Sequence, residues 1–280
     1  MPAILRLGRF TLDLSRAQVM GVLNVTPDSF ADGGRFLSEA DAIGRVQEML
    51  SDGADIIDIG GESTRPGAAP TTEDEELGRV IPLLRAVRSA CDDKAVPISV
   101  DTRKAAVMRT AVAAGASMIN DVSALRGPGA LEAVAGADVG VCLMHMRGEP
   151  GNMQRLAEYT DVVAEVGAFL SERASACSAA GIAHDRIVLD PGFGFGKTVE
   201  HNLHLLRGLP RIVALGYPVL VGLSRKSTIG ALTGRAVDDR TTGSVAAALA
   251  AVSRGASIVR VHDVRETVDA LKVWRAVQEF

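Results

Sequence analysis

The chain has 280 residues, of which 47% are hydrophobic and 23% charged, and its 30 basic and 34 acidic side chains leave a net charge of −4. This length and apolar content suffice for one large core, since single α/β barrels run to about 250 residues. The acidic balance and an aromatic content of 4% argue against nucleic-acid binding, which needs a basic surface and stacking platforms. No apolar run in the sequence approaches the ~18 residues that span a bilayer, so we expect neither nucleic acid nor a membrane as a partner.

The cysteine content and the N-terminal residues indicate the cellular compartment in which the protein is found. Three cysteines lie far apart and form no C-x-x-C pair, which is typical of a reducing environment and not of a disulfide framework or a zinc site. Charged side chains interrupt the apolar residues 1–16, so this segment lacks the apolar stretch of a signal peptide. We expect a cytoplasmic protein whose first residues form a β-hairpin around Gly8 and Arg9.

Short β-branched runs alternate with longer helical patterns along the chain. Their nearly continuous apolar character is typical of parallel strands covered by helices. The predicted strands are residues 18–24, 55–60, 96–101, 117–121, 139–144, 186–190, 218–223 and 257–262. The clearest helical pattern covers 156–181, where Gly181 suits the left-handed position after the last turn.

Eight strand–helix pairs predict an α/β fold, a (β/α)₈ TIM barrel in a single domain over 1–280, with a short N-terminal β-hairpin extension. A doubly wound open sheet is the alternative, but it usually carries a Gly-rich dinucleotide turn after its first strand. Here that strand is followed by NVTPDSFADGG. Long loops over 25–38 and 61–72 are expected to be mobile and to cover a site at the carboxyl ends of the strands.

Polar residues stand near the carboxyl end of each predicted strand, where TIM-barrel sites are built. They are Asn24, Asp58 with Glu62, Asp101, Asn120 with Asp121, His145, Asp190, Ser224 to Lys226, and Arg260 with His262. Any one of them could instead cap the following helix, and Lys226 could be an ordinary solvated lysine. Because so many polar positions converge on one rim, a binding site is the favoured interpretation.

The first group of rim residues suits a flat heterocycle. Asp101, Asn120 and Asp190 can bind an amino-pyrimidine edge, since a carboxylate accepts two N–H bonds side by side and an amide both donates and accepts. The sequence has no H-E-x-x-H or G-x-S-x-G motif, which argues against zinc hydrolysis and serine-type acyl transfer.

The second group of rim residues suits an anion. Asn24, Arg260 and His262 can hold a phosphate together with a hard metal ion, since Mg²⁺ uses few protein ligands and several substrate oxygens. The alternation of RVHDV places Arg260 and His262 on one side of the last strand.

The stretch LDPGFGFGKT, residues 189–198, nearly matches a P-loop. Pro191 stands where the first Gly should be and has no N–H for a phosphate. We interpret the match as a coincidence of a Gly-rich barrel turn.

The motifs GVLNVTPDSFADGG, GGESTRPGA, SVDT, IND, LMHM, DPGFGFGKT, GLSRKS and RVHDV, in this order, resemble those of the dihydropteroate synthase family of folate biosynthesis. The resemblance covers Met20 to Val264 and implies a (β/α)₈ barrel that acts as a cytoplasmic homodimer. The implied transferase reaction joins (7,8-dihydropterin-6-yl)methyl diphosphate to 4-aminobenzoate, giving 7,8-dihydropteroate and pyrophosphate.

The resemblance also implies roles for residues at the matched positions. The implied pterin-binding residues are Asp101, Asn120, Met144, Asp190, Lys226 and Arg260. The implied diphosphate-binding residues are Asn24, Arg260 and His262, and Asn24 is similar to the family's Mg²⁺ ligand. The implied aminobenzoate-binding residues, where sulfonamides would compete, are Phe30, Asp32, Thr64, Arg65, Pro66, Phe195 and Ser227. The implied catalytic residues are Asp101, Asp190, Lys226, Arg260 and His262.

The implied mechanism is a dissociative substitution. Mg²⁺, Arg260 and His262 would assist pyrophosphate departure, and Asp101 and Asp190 would stabilise the cationic methylene that remains. Two alternatives stay open: a pterin-binding methyltransferase that serves a corrinoid, and a barrel that binds pterin without turnover. The methyltransferase would not need Asn24, Arg260, His262 and the SRK run of residues 224–226 together. The non-catalytic barrel would not need the two intact loops.

Overall fold

A computed structural model describes residues 4–25, 39–63, 68, 70–90 and 96–278. The strands within these ranges are β1 (Ile4–Leu7), β2 (Phe10–Asp13), β3 (Gln18–Asn24), β4 (Ile56–Gly60), β5 (Ile98–Asp101), β6 (Met118–Asp121), β7 (Gly140–Met144), β8 (Ile187–Asp190), β9 (Leu220–Val221) and β10 (Ile258–Val261). The helices are α1 (Glu39–Ser51), α2 (Glu73–Ala90), α3 (Ala105–Ala113), α4 (Ala130–Ala135), α5 (Val162–Ala179), α6 (Val199–Arg207), α7 (Leu209–Val213), α8 (Ser227–Thr233), α9 (Thr241–Val252) and α10 (Val264–Gln278).

The main sheet closes on itself. Its eight strands run in the order β8-β7-β6-β5-β4-β3-β10-β9, and the paired strands are all parallel. A parallel bridge between Leu189 and Val219 joins the two ends of this order. The predicted (β/α)₈ barrel is therefore confirmed, and the open doubly wound sheet is wrong. Each predicted strand is present, although β9 is shorter than residues 218–223.

The N-terminal hairpin closes the amino-terminal end of the barrel. Strands β1 and β2 pair in antiparallel fashion, as the sequence predicted. Leu5 and Leu7 have no exposed surface and pack with Met20, Ile56 and other apolar side chains of the barrel strands. Because this end is filled, the opposite mouth, at the carboxyl ends of the strands, is the end left for a binding site.

The helices cover the outside of the barrel and bury a second, larger apolar layer. The helix predicted over 156–181 begins later than its periodicity indicated, because Met153–Leu156 is a 3₁₀ turn and α5 starts at Val162. Asp161 Oδ1 sets this start by accepting backbone N–H groups at 3.0 Å. Gly181, with φ of +89°, follows the last turn as predicted. Within the described ranges, no helix has the length and apolar character to cross a membrane.

Candidate active site

A row of residues crosses four adjacent strands at the same height in the barrel mouth. Asn24 on β3 pairs in register with Gly60 on β4, Gly60 with Asp101 on β5, and Asp101 with Asn120 on β6. Because side chains of parallel strands in one register point the same way, the amide and carboxylate groups of this row share one face. The sequence placed Asn24, Asp101 and Asn120 on one rim, and the structure brings them together.

Arg260 on β10 reaches past β3 to two carboxylates. Its Nε donates to Asp58 Oδ2 at 2.7 Å, and its Nη2 donates to Asp101 Oδ2 at 3.0 Å. Burial raises the pKa of Asp101 to about 7, and Arg260 opposes the rise. The guanidinium is thus fixed at the base of the mouth between acidic partners.

Asp58 was placed on the predicted rim but given no role, and the structure shows it as a partner of Arg260. It lies within β4, not at its end, and has no exposed surface. Besides Arg260, Asp58 Oδ2 accepts from Asn120 Nδ2 at 3.4 Å, while its Oδ1 is buried without a hydrogen-bond partner. A charged residue inside an apolar strand run was the available signal, since a buried carboxylate requires a partner.

Asp190 ends β8 on the other side of the mouth. Its side chain is 6% exposed, and its Oδ1 accepts the Gly192 N–H at 2.7 Å. Burial raises the pKa of Asp190, and the ammonium of Lys226 opposes this rise. Asp190 pairs in register with Met144 on β7, so the predicted pterin-binding residues Met144 and Asp190 are neighbours.

Lys226 is placed by a strained turn. Arg225 has a φ of +57°, a conformation that costs energy for a residue with a side chain. An ion pair with Asp263 and a hydrogen bond from its N–H to Ser244 Oγ at 2.9 Å hold Arg225 there. Lys226 follows as the N-cap residue of α8, and its side chain is thereby directed into the mouth.

The Lys226 amine lies against the Gly-rich turn. Its Nζ donates to Phe193 O and is 4.7 Å from the centroid of the Phe195 ring. Burial lowers the pKa of Lys226 to about 8, although Asp190 opposes the shift. Lys226 therefore differs from an ordinary solvated lysine, which was the alternative interpretation of this position.

An apolar wall borders the polar rim. Val122, Met144, Met146 and Met153 form a buried cluster, and the half-buried Phe195 packs against it. Flexible thioether side chains adapt to the outline of a flat ligand. The wall lies beside Asp190 and Lys226, so the mouth offers one polar and one apolar side.

His262 follows β10 at the rim. Its backbone N–H donates to Ser224 Oγ at 3.2 Å, and its Nδ1 lies 3.0 Å from the same oxygen. This contact orients the imidazole relative to Arg260 two residues earlier. Ser227, at the start of α8, is exposed.

Some rim residues serve the fold. Asp121 accepts the N–H groups of Ser123 and Leu125, both at 2.7 Å, so it stabilises the turn after β6 and does not cap the next helix, α4, whose N-cap is Gly129. Burial raises the pKa of Asp121 to about 6. His145 is 5% exposed and contacts Lys197, and burial lowers its pKa to about 3.

The first loop falls outside the described residues from 26 to 38, and the second does so at 64–67 and 69. The predicted aminobenzoate-site residues that lie outside the described residues are Phe30, Asp32, Thr64, Arg65 and Pro66. Glu62, just before the second gap, accepts from Thr71 N at 3.1 Å and from Arg103 Nε at 3.1 Å. The described base of this loop is therefore tied to the segment that follows β5.

The described residues contain no cluster of three or more His, Cys, Asp or Glu side chains suited to a metal ion. Asn24, half-buried at the rim, has its Oδ1 directly over Gly60. A single neutral oxygen ligand fits a cation such as Mg²⁺, which takes most of its ligands from phosphates and water.

Comparisons with known proteins agree on one family. The family described as "Pterin binding enzyme" matches residues 20–262. A dihydropteroate synthase of Neisseria meningitidis serogroup C is 54% identical over 275 residues and covers 96% of each chain. A Xanthomonas albilineans dihydropteroate synthase with 4-aminobenzoic acid has a TM-score of 0.93 at 53% identity and covers 100% of each chain. A Burkholderia cenocepacia dihydropteroate synthase complexed with 7,8-dihydropteroate has a TM-score of 0.89 at 51% identity and covers 99% of this chain and 97% of that one.

Proposed function

The chain belongs to the dihydropteroate synthase family of pterin-binding enzymes, and from this premise we propose how the residues of the barrel mouth divide the work. The enzyme condenses (7,8-dihydropterin-6-yl)methyl diphosphate with 4-aminobenzoate to 7,8-dihydropteroate and pyrophosphate. The domain is a single pterin-binding barrel over 1–280. The observation that carries the proposal is the placement of Asp101 and Asn120 side by side in register, with Arg260 bonded to Asp101.

The pterin ring lies in the deep part of the mouth. Asp101, Asn120 and Asp190 face its amino-pyrimidine edge, because carboxylate and amide groups match the adjacent N–H and acceptor positions of that edge. Lys226 donates to the ring from α8, and Met144 packs beneath it. The burial of Asn120 and Asp190 supports this assignment, since buried polar groups require hydrogen-bond partners.

The diphosphate lies at the rim beside β3 and β10. Arg260 and His262 neutralise the charge that grows on the leaving pyrophosphate. Asn24 is the described oxygen ligand that fits Mg²⁺, which when bound would add to this neutralisation. The adjacency of β3 and β10 in the sheet supports a common site for these three side chains.

The reaction proceeds by departure of pyrophosphate before the new bond is complete. The methylene carbon that is left shares its positive charge with the electron-rich pterin. Asp190, which is buried, and Asp101, which is half-buried, stabilise that charge more strongly than they would in water. No covalent bond to the enzyme is needed.

The nucleophile is the amine of 4-aminobenzoate, which is neutral and needs no strong base. The enzyme's contribution is placement of the amine next to the methylene carbon. Phe195 walls this second site together with Ser227, and Phe30, Asp32, Thr64, Arg65 and Pro66 complete it. Sulfonamides compete for it because they share the aniline group.

We further propose that the enzyme is a cytoplasmic homodimer. Exposed apolar side chains at Leu232, Val237, Val273 and Val277 support an association between copies. Sedimentation equilibrium tests the dimer: a mass near twice the chain's 29.2 kDa is expected, and a concentration-independent monomer contradicts it.

The proposal is tested by incubating the chain with the pterin diphosphate, 4-aminobenzoate and Mg²⁺. We expect equal amounts of dihydropteroate and pyrophosphate, a rate that falls when Mg²⁺ is chelated, and no product from Asp190→Ala. Pterin binding without pyrophosphate release would identify a non-catalytic barrel. Methyl transfer from methyltetrahydrofolate to a corrinoid would identify the methyltransferase group instead.

A further inference from the structure

Lys197 is a buried lysine that the proposed reaction does not use. It is 3% exposed, and its Nζ donates to Gly192 O at 2.9 Å and to Phe195 O at 3.1 Å. The same nitrogen lies 2.9 Å from His145 Nδ1 and 3.4 Å from His145 O. Burying a lysine amine this deeply costs free energy unless its N–H groups have hydrogen-bond partners. Here each partner belongs to one of two neighbouring segments, the turn after β8 or the segment after β7.

These two segments pack backbone against backbone. A Cβ on Gly192 would lie 1.9 Å from His145 O, and one on Gly196 would lie 2.8 Å from Arg147 O. Both glycines also have positive φ, +69° and +62°, which side-chain-bearing residues avoid. The turn formed by residues 191–197 therefore sits directly on the segment after β7, and Lys197 is bonded to both.

We propose that Lys197 is a positioning residue for 4-aminobenzoate, which fixes the turn of residues 191–197 so that the Phe195 ring is held in place. The ring lies between the cluster containing Met144 and Met146 and the Nζ of Lys226. Lys197 bonds the carbonyl of Phe195 itself, so it acts on this wall directly. The inference rests on the proposed role of Phe195 in the aminobenzoate site.

The opposite end of the turn has an anchor besides Lys197. Asp190 belongs to β8, and its Oδ1 accepts the N–H of Gly192 at 2.7 Å. Lys226 is held from the segment after β9, through the bonds of Arg225 to Ser244 and Asp263. Because Lys197 bonds Phe195 itself, whereas Asp190 and Lys226 contact the turn at Gly192 and Phe193 and have anchors of their own, loss of the Lys197 amine should displace Phe195 more than these pterin-binding groups, so that the two substrates respond differently.

The experiment is a double-mutant cycle of Lys197→Met and Phe195→Ala, measured by steady-state kinetics and by calorimetric binding of the pterin diphosphate. We expect Lys197→Met to raise KM for 4-aminobenzoate about tenfold, with kcat and pterin affinity changed by about twofold or less. In the Phe195→Ala background, Lys197→Met should raise KM for 4-aminobenzoate little further, because the effects of two residues that act through one another are not additive. Lys272→Met, an exposed lysine on α10, is the control and should match the wild type.

Two results overturn the proposal. If Lys197→Met leaves KM for 4-aminobenzoate unchanged while Phe195→Ala raises it, Lys197 does not position the wall, although the assignment of Phe195 stands. If Phe195→Ala itself has no effect on that KM, the assignment of Phe195 fails together with the inference. Should Lys197→Met not fold, as judged by circular dichroism, Lys197→Gln keeps two N–H donors and enters the same cycle.

Discussion

Arg260 donates from Nε to Asp58 Oδ2 at 2.7 Å, and Asp58 has no exposed surface. The pair spans β3, from β10 to β4, while a second nitrogen of the same guanidinium bonds Asp101 on β5. Asp58 thus sets the position of Arg260 and leaves part of its charge available to the substrate. We therefore expect Asp58 to support catalysis by holding Arg260, a role that its position on the predicted rim did not indicate.

Substitution Asp58→Asn keeps the size of the side chain and removes its charge. We expect kcat/KM for the pterin diphosphate to fall about tenfold to a hundredfold, since a hydrogen bond to a charged group contributes about 1.5–3 kcal/mol. The matched control is Asp55→Asn, which removes a carboxylate paired with Arg16 at the amino end of β4. Equal losses in both variants would mean that the effect is on the fold and not on Arg260.

The activity should depend on pH through Lys226. Burial lowers the pKa of Lys226 to about 8, so its ammonium form is complete below this pH and is lost as the pH rises through it. We expect kcat/KM for the pterin diphosphate to fall about tenfold per pH unit above that value. In Lys226→Arg the charge persists at alkaline pH, so the fall should disappear. If kcat/KM of that variant still falls at alkaline pH, the fall is caused by the titration of another group.

Asp190 should be required for pterin binding. Asp190→Ala removes the buried carboxylate proposed to face the amino-pyrimidine edge, and we expect calorimetry to detect no pterin binding. Asp121→Ala is the matched control, because Asp121 is also a buried carboxylate at a strand end, bonded to turn N–H groups. This control should lower the melting temperature and retain pterin affinity. Unchanged pterin binding by Asp190→Ala would remove Asp190 from the site.

Substitution of Leu7 tests whether a change at the amino end of the barrel leaves the binding mouth at the other end unaffected. Leu7 has no exposed surface and fills the space beside Gly140 at the amino end. Leu7→Ala should destabilise the fold by about 2–5 kcal/mol through the cavity it leaves, measured by urea unfolding. Both KM values should stay close to those of the wild type at a temperature where the variant is folded. A large rise in either KM would show that the hairpin influences the mouth.

The fold could be predicted from the sequence because strand and helix periods are local properties. Apolar runs at regular spacing predicted the eight barrel strands. The left-handed conformation that glycine readily adopts predicted that α5 ends just before Gly181. The start of α5 was missed because its apolar spacing continues back to Leu156, whereas the Asp161 cap decides where the helix begins.

The site was predictable only in part. Residues at strand ends could be assigned to one rim because barrel geometry brings those ends together. The partner of a buried charge is set by tertiary contacts, so the pairing of Asp58 with Arg260, from residues far apart in the chain, was not visible. For the same reason the contacts of Lys197 with His145 and the turn could not be read from the near match to a P-loop.

The most direct test of the central claim is a crystal structure of the enzyme with a bound pterin and pyrophosphate. We expect the amino-pyrimidine edge within hydrogen-bonding distance of Asp101, Asn120 and Asp190, and pyrophosphate beside Arg260 and His262. Pterin bound away from this mouth, or bound in it with its amino-pyrimidine edge turned from all three side chains, would contradict the account.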